Sequence, residues 1–84
     1  MKDCFITFRS VTFAQRGERE LKRAGISCSV QRTPRWMEEK GCGYSVRLRC
    51  KDMITAVELL KSKQVPYRKL YLHGENGALE ETAL

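Results

Sequence analysis

The sequence predicts a single α+β domain, and three observations lead to this fold class. The chain has 84 residues, which is the size of one small domain. Apolar and polar residues alternate over residues 26–31 and over residues 44–50, as is typical of strands with one buried face. Before the first of these segments and after the second, apolar residues recur at three- and four-residue steps, over 13–24 and 53–60. This spacing indicates two amphipathic helices.

The remaining elements complete the order of the fold. The aromatic and β-branched segment 4–8 predicts the first strand, and Gly25 is expected to end the first helix. Asp52 is placed to cap the second helix, which Pro66 ends. A last strand over 67–72 gives βαββαβ, the ferredoxin-like plan. We therefore expect four antiparallel strands in the spatial order 4-1-3-2, with both helices on one face.

The charge is distributed unevenly along the chain. Residues 1–72 contain all 16 Lys and Arg residues and seven of the ten acidic residues, a net charge of +9. Residues 73–84 contain the other three acids, a net charge of −3. We expect one domain over 1–72 and an acidic tail over 73–84, either mobile or forming a short helix over 77–84. The basic domain favours an anionic partner, or its charge serves solubility alone.

The composition disfavours several classes of function. A domain of this size buries too little surface to enclose both a core and a deep substrate pocket. The one histidine, His73, falls in the tail, so the usual acid–base chemistry has little to work with. No apolar run approaches the roughly 20 residues of a membrane span, and the N-terminus has no signal-peptide pattern. We expect a cytoplasmic protein that is not an independent enzyme.

Three of the four cysteines are interpreted as structural residues without a chemical role. Cys4, Cys28, Cys42 and Cys50 form no C-x-x-C pair, so we predict no metal site, and nothing in the sequence calls for a cofactor. Reduced thiols are the expectation for a cytoplasmic chain. Cys4 and Cys50 are still able to approach each other across the first and third strands, so a disulfide there is the less favoured alternative.

Cys42 has the setting of a reactive thiol. It lies between Gly41 and Gly43 at the end of a long loop, 33–43. In the predicted topology the third strand begins where the first strand ends, so Cys42 should lie near Arg9 and the N-terminus of the first helix. Positive neighbours and helix N-termini lower the pKa of a thiol. The alternative is a turn residue whose glycine neighbours serve backbone geometry alone.

A resemblance to a known family favours the first interpretation. The segment Thr33-Pro34-Arg35, the segment Gly41-Cys42-Gly43 and the opening Phe5-Ile6-Thr7-Phe8-Arg9-Ser10 resemble the small bacterial family of putative selenium/sulfur carrier-like proteins. The resemblance covers about residues 4–72. It implies a single domain whose Cys42 carries a persulfide or selenide, received from a donor such as a cysteine desulfurase and passed to an acceptor.

The carrier hypothesis assigns three groups of site residues. Cys42 holds the carried atom. The residues assigned to stabilising the anion are Arg9, Ser10, Arg35, Gly41 and Gly43. Those assigned to partner binding are Trp36, Met37, Arg47 and Arg49. The loop departs from the family pattern by its bulk and charge, because residues 36–40 are Trp-Met-Glu-Glu-Lys, and two acids near a thiol oppose a lowered pKa.

Two other classes of function remain open. A βαββαβ sheet with one open face is also the plan of an RNA-binding module. The residues expected on that face are Phe5, Thr7, Ser27, Ser29, Gln31, Ser45, Arg47, Arg49 and Tyr71. The face is basic, but the third strand lacks the aromatic stacking positions of such modules, so nucleic acid is not the favoured partner. The second alternative is an interaction or regulatory subunit without chemistry, as a monomer or a homodimer.

Overall fold

The computed structural model describes residues 3–33, 43–73 and 79–82, and for residues 73 and 79–82 it describes the backbone alone. The elements, in chain order, are β1 (Asp3–Phe8), α1 (Val11–Arg23), β2 (Cys28–Arg32), β3 (Tyr44–Arg49), a single 3-10 turn (Cys50–Asp52), α2 (Met53–Ser62), β4 (Leu70–His73) and β5 (Leu79–Thr82). The strands form one sheet in the order β2-β3-β1-β4-β5, and every pairing is antiparallel. The first four strands have the predicted ferredoxin-like order.

The fifth strand was not predicted. Leu79–Thr82 pairs with β4, from Leu70 opposite Thr82 to His73 opposite Leu79. The helical alternative for residues 77–84 is therefore wrong over 79–82, and the sheet has five strands rather than four. Residues 79–82 show no alternating period, and their pairing depends on the exposed edge of β4, which is a tertiary effect.

Alternation along the strands separates the sheet into two faces. Ile6 pairs with Val46, which pairs with Val30, and this row packs against the helices. Thr7 pairs with Ser45, which pairs with Gln31, and this row lies on the opposite face. Because successive side chains of a strand point to opposite sides, each face keeps its character along the whole ladder. The core formed on the helix side is closed by Leu21, Met53, Ala56, Val57 and Leu60.

Both ends of α1 follow local sequence signals, whereas the start of α2 does not. The Ser10 side chain caps α1 by accepting a hydrogen bond from the Phe13 backbone N–H at 3.3 Å. Gly25, with φ of 83°, ends α1, and the Ile26 N–H donates to the Leu21 carbonyl. Asp52 stands at the start of α2 but makes no side-chain capping bond, because a 3-10 turn precedes the helix. The capping role predicted for Asp52 is therefore wrong. Within the described residues, neither helix is long and apolar enough to cross a membrane.

Gly17 sets the distance between α1 and the sheet. A Cβ atom placed on Gly17 would lie 2.9 Å from Cζ of Phe8 and 3.4 Å from Cδ2 of Leu60. Both neighbours are fully buried, so neither side chain has free space to move into. The absence of a side chain at Gly17 lets the helix pack directly on the Phe8 ring, which offsets its low helix propensity.

A disulfide bond joins Cys4 to Cys50, and the expectation that both thiols are reduced is wrong. Cys4 lies on the helix side of β1, opposite Leu48 of β3. Cys50 comes two residues after Leu48 in the chain and lies on the same side of the sheet. The two Cα atoms are 5.0 Å apart, within the range that a disulfide bridges. Reduced thiols were expected because disulfides are disfavoured in the cytoplasm. The register of β1 and β3, which brings these two cysteines together, was given less weight.

Candidate functional site

The candidate site lies at the end of the sheet where β3 begins. The Thr33 backbone N–H donates to the Gly43 carbonyl at 3.0 Å, which extends the β2–β3 ladder by one pair. Cys42 immediately precedes Gly43 in the chain. Cys42 itself and four further predicted site residues, Arg35, Trp36, Met37 and Gly41, lie outside the described residues. The structure therefore describes the two residues that flank the loop, Thr33 and Gly43, which are here called the base of the loop.

Arg9 and Ser10 reach this base from β1. Phe8 pairs with Tyr44, so continuing the register by one residue places Arg9 beside Gly43. The Arg9 side chain is exposed, and Ser10 begins α1 directly after it. Ser10 accepts one hydrogen bond as the helix cap and retains its hydroxyl proton for another acceptor. The structure thus brings Arg9, the N-terminus of α1 and Gly43 to one end of the sheet.

Two buried hydroxyl groups at this end have no hydrogen-bond partner among the residues that the structure describes. Ser45 is 0% exposed and Thr33 is 5% exposed, and Oγ of Ser45 and Oγ1 of Thr33 are both unpaired. Thr7, the neighbour of Ser45 in the same row, is different: its hydroxyl accepts from the Lys69 N–H at 2.9 Å and donates to the Lys69 carbonyl at 3.3 Å. Buried polar groups without partners are uncommon in native proteins and need a physical reason.

Sequence reasoning did not single out these two hydroxyls. The sequence indicates Thr33 only as part of the Thr-Pro-Arg segment, and Ser45 only as a polar residue of the open face. The alternation of β3 does place Ser45 on that face, but an alternating pattern gives no sign that a serine there is completely buried. The available signal was the position of both residues, each two residues or fewer from the ends of the loop.

A basic groove lies on the other side of Arg9. It has a volume of about 590 Å³ and is lined by Arg9, Phe13, Pro66, Tyr67, Arg68 and Lys69. The segment before β4 is fixed here by Thr7, whose N–H donates to the Lys69 carbonyl and whose carbonyl accepts from the Arg68 N–H, both at 2.8 Å. The groove therefore extends the positive surface from Arg9 across β1, on the side away from Gly43.

The two arginines predicted to bind partners lie farther along β3. Arg47 pairs with Phe5, and its side chain, 51% exposed, places Nε 4.0 Å from Oδ2 of Asp3. Arg49 is the last residue of β3, six residues from Gly43, or about 20 Å along an extended strand. The structure does not bring Arg49 to the base of the loop. On the same face Tyr71 is only 7% exposed, so it offers little ring surface for base stacking.

Cys28 is the free cysteine of the described residues, and its surroundings suppress reactivity. Its thiol donates to the Glu18 carbonyl at 3.7 Å. Burial raises the pKa of the Cys28 thiol, the Glu18 carboxylate raises it further, and Lys22 lowers it only in part. At neutral pH the thiol is protonated and is a poor nucleophile. Over the described ranges, no group of three or more His, Cys, Asp or Glu side chains is arranged to hold a metal ion.

The fold defines a small α+β domain of ferredoxin-like topology with a polar, positively charged end. A family model described as putative Se/S carrier protein-like matches residues 3–72, and the chain belongs to this family. The match confirms the resemblance drawn from the Thr-Pro-Arg and Gly-Cys-Gly segments, and a carrier family implies partner proteins. Searches of curated proteins and of solved structures found no match.

Proposed function

We propose that this chain carries sulfur or selenium as a persulfide or perselenide on Cys42. The observation that carries the proposal is the match of residues 3–72 to the Se/S carrier-like family. The Gly-flanked Cys42 directly precedes the end of the sheet where Arg9 and the N-terminus of α1 lie. Cys28 has a raised thiol pKa, and Cys4 and Cys50 are joined in a disulfide, so Cys42 is the candidate for the reactive thiol.

The loading step is balanced without an external oxidant. The Cys42 thiolate attacks the outer sulfur of a persulfide on the donor protein. A new bond forms between that sulfur and Sγ of Cys42, and the sulfur–sulfur bond of the donor breaks. The donor cysteine leaves as a thiolate and is reduced, while the Cys42 sulfur is oxidised by the same two electrons. Unloading to an acceptor thiolate reverses these roles.

The charge of the domain fits the species that is carried. A persulfide on Cys42 is an anion, and a positive neighbour favours the charged form of such a group. In this proposal Arg9, Arg35 and the backbone N–H groups near Gly41 and Gly43 stabilise that anion, and Trp36-Met37 contacts the partner. The acids at 38 and 39 would oppose this effect, which makes the basic residues near Gly43 the more important.

The partner assignments form part of the same proposal. The donor is a cysteine desulfurase or another protein that presents a persulfide, and its docking surface is acidic, to match the net charge of +9 over residues 1–72. The acceptor has a thiol or another nucleophile. The carrier acts in the cytoplasm of a bacterium, as a monomer or a homodimer, and performs no independent turnover.

The experiment is intact-mass analysis after incubation with a cysteine desulfurase and cysteine, without added thiol reductant. Wild type should gain the mass of one sulfur atom, and Cys42→Ala should gain none. Cys28→Ala is the matched control, since it removes the other free thiol and should load like wild type. Insertion of sulfur into the Cys4–Cys50 disulfide would give the same mass, so peptide mapping must locate the added atom. Equal loading of Cys42→Ala and wild type would reject the proposal.

A further inference from the structure

Thr33 and Ser45, the two residues with unpaired hydroxyls, share one face of the sheet at the end marked by Gly43. Gln31 pairs with Ser45, and the next pair along the same ladder is Thr33 with Gly43. Thr33 and Ser45 are therefore diagonal neighbours on the face of the sheet turned away from the helices. Diagonal neighbours of an antiparallel pair have Cα atoms about 7–8 Å apart, and their Cβ atoms are somewhat closer. Gly43 places no side chain between them.

Both hydroxyls have a proton to donate. Within the described residues neither Oγ1 of Thr33 nor Oγ of Ser45 has a hydrogen-bond partner, although both residues are more than nine-tenths buried. The adjacent Thr7 shows that the same face is able to satisfy a hydroxyl fully, since Lys69 supplies both a donor and an acceptor. Two hydroxyl donors on the same face of the sheet are suited to bind one acceptor between them. Anions are the acceptors that hydroxyl groups bind most strongly.

Arg9 supplies the charge that such an acceptor requires. It lies between Phe8, the last residue of β1, and Ser10, the cap of α1, and so at the same end of the sheet as Thr33 and Ser45. The carboxylate of Asp3 lies at the opposite end of β1 and pairs with Arg47. The carboxylate of Glu18 lies on the helix side and accepts from the Val30 N–H at 3.0 Å. Neither of these acids competes for the position beside Gly43.

We propose that the hydroxyls of Thr33 and Ser45, together with Arg9, bind the terminal sulfur or selenium anion of the group carried by this chain. The inference rests on the proposed function for the identity of the anion. It assigns Thr33 and Ser45 as positioning residues, which hold and stabilise the charge without forming a bond to it. The hydroxyl donors lower the pKa of the persulfide and keep it in the nucleophilic form.

The test compares variants that remove the hydroxyls with little change of shape. Thr33→Val, Ser45→Ala and their combination are loaded with a cysteine desulfurase and cysteine, and the persulfide is then alkylated across a range of pH. The double variant should need a higher pH for half-maximal reactivity, with a rate at neutral pH roughly tenfold lower, equivalent to about one pKa unit. Thr7→Val is the control, because its hydroxyl is already paired, and its persulfide should titrate like that of wild type.

Thermal unfolding separates this role from a merely structural one. Removing an unpaired buried hydroxyl relieves an unfavourable burial, so unloaded Thr33→Val and Ser45→Ala should unfold at temperatures a few degrees above wild type. Thr7→Val removes a paired hydroxyl and should unfold at a lower temperature. Reduced persulfide reactivity in more stable variants would support the site. Unchanged reactivity and pH dependence in the double variant would overturn it.

A second measurement decides the case in which wild type does not load at all. That outcome would reject the proposed function. The anion site is then tested by itself with bromide as the probe anion. Bromide is chosen over hydrosulfide because hydrosulfide would attack the disulfide. The line width of the bromine NMR signal is measured with the full chain carrying Cys42→Ala. Broadening that disappears with Thr33→Val/Ser45→Ala and persists with Thr7→Val would support the site. Equal broadening with all three proteins, or none, would overturn it.

Discussion

The two ends of the sheet differ in how their side chains are held. At one end, here called the disulfide end, Cys4 and Cys50 are covalently joined and Asp3 pairs with Arg47. At the other, called the hydroxyl end, Thr33 and Ser45 are buried with unpaired oxygens. The same strands, β1 and β3, form both ends. The difference shows that one short ladder supports a cross-linked end and an end whose buried hydroxyls have no partner among the described residues.

This separation is physically reasonable for a small domain. An 84-residue chain has little core, and unpaired buried groups subtract from a small total stability. Additional stability at the disulfide end offsets this loss without filling the hydroxyl end. A site at the end of rigid strands is also held more accurately than a site on loops alone.

The largest effect is expected from removing the cross-link. Cys4 and Cys50 are separated by 46 residues, and closing a loop of that length in the unfolded chain corresponds to about 4 kcal/mol of stability. Cys4→Ala/Cys50→Ala should therefore lose about 4 kcal/mol of unfolding free energy. Urea unfolding of oxidised wild type and of the double variant measures the difference.

The redox state supplies the control for this experiment. Wild type treated with a thiol reductant should unfold at a lower urea concentration, whereas the double variant should not respond to the reductant. Cys28→Ala keeps the cross-link and should respond as wild type does. A wild-type unfolding midpoint that does not change on reduction would show that the two ends of the sheet do not differ in this way.

The next effect concerns the packing beneath the hydroxyl end. Gly17→Ala adds a methyl group where the space is already taken by the buried rings and branches of Phe8 and Leu60. Overpacking of a core costs about 1–3 kcal/mol, which exceeds the gain of up to about 1 kcal/mol in helix propensity. Chemical denaturation should show a net loss. Gln15→Ala, at an exposed position of the same helix, should change stability by less than about 0.5 kcal/mol.

The fold could be predicted from sequence because its signals are local and agree with one another. The alternation over 44–50 and the helical spacing over 53–60 each follow from one buried face. The register was harder, because it depends on contacts between strands that no single segment encodes. The disulfide between Cys4 and Cys50, which was the less favoured alternative, and the strand Leu79–Thr82, which was not predicted, both depend on that register.

The candidate site was predictable only in part for a similar reason. The topology alone was enough to bring Arg9 to the end of the sheet where β3 begins. The burial of Ser45 and Thr33 was not predictable, since burial on an open sheet face depends on how the whole chain folds. A sequence shows that a residue is polar, whereas only the structure shows that its hydroxyl has no partner among the described residues.

The smallest predicted effect concerns the C-terminal turns of α1 and α2, which lie at opposite ends of the sheet. α1 ends at the disulfide end with Gly25 at φ of 83°, and α2 ends at the hydroxyl end with Gln64 at φ of 57°. In each case the next residue donates back to the helix, Ile26 to Leu21 and Val65 to Leu60. The same turn therefore carries a relaxed glycine at one end and a strained side chain at the other.

Opposite substitutions should thus have opposite effects. Gly25→Ala forces a side chain into the left-handed conformation and should cost about 1 kcal/mol, while Gln64→Gly relieves it and should gain up to about 1 kcal/mol. Urea unfolding of both variants beside wild type measures the two changes. Strain that persists in a folded protein is concentrated near functional sites, and Gln64 precedes the segment that lines the basic groove. If Gln64→Gly also lowers stability, the turn at the hydroxyl end is not strained, and the contrast between the two ends is confined to the sheet.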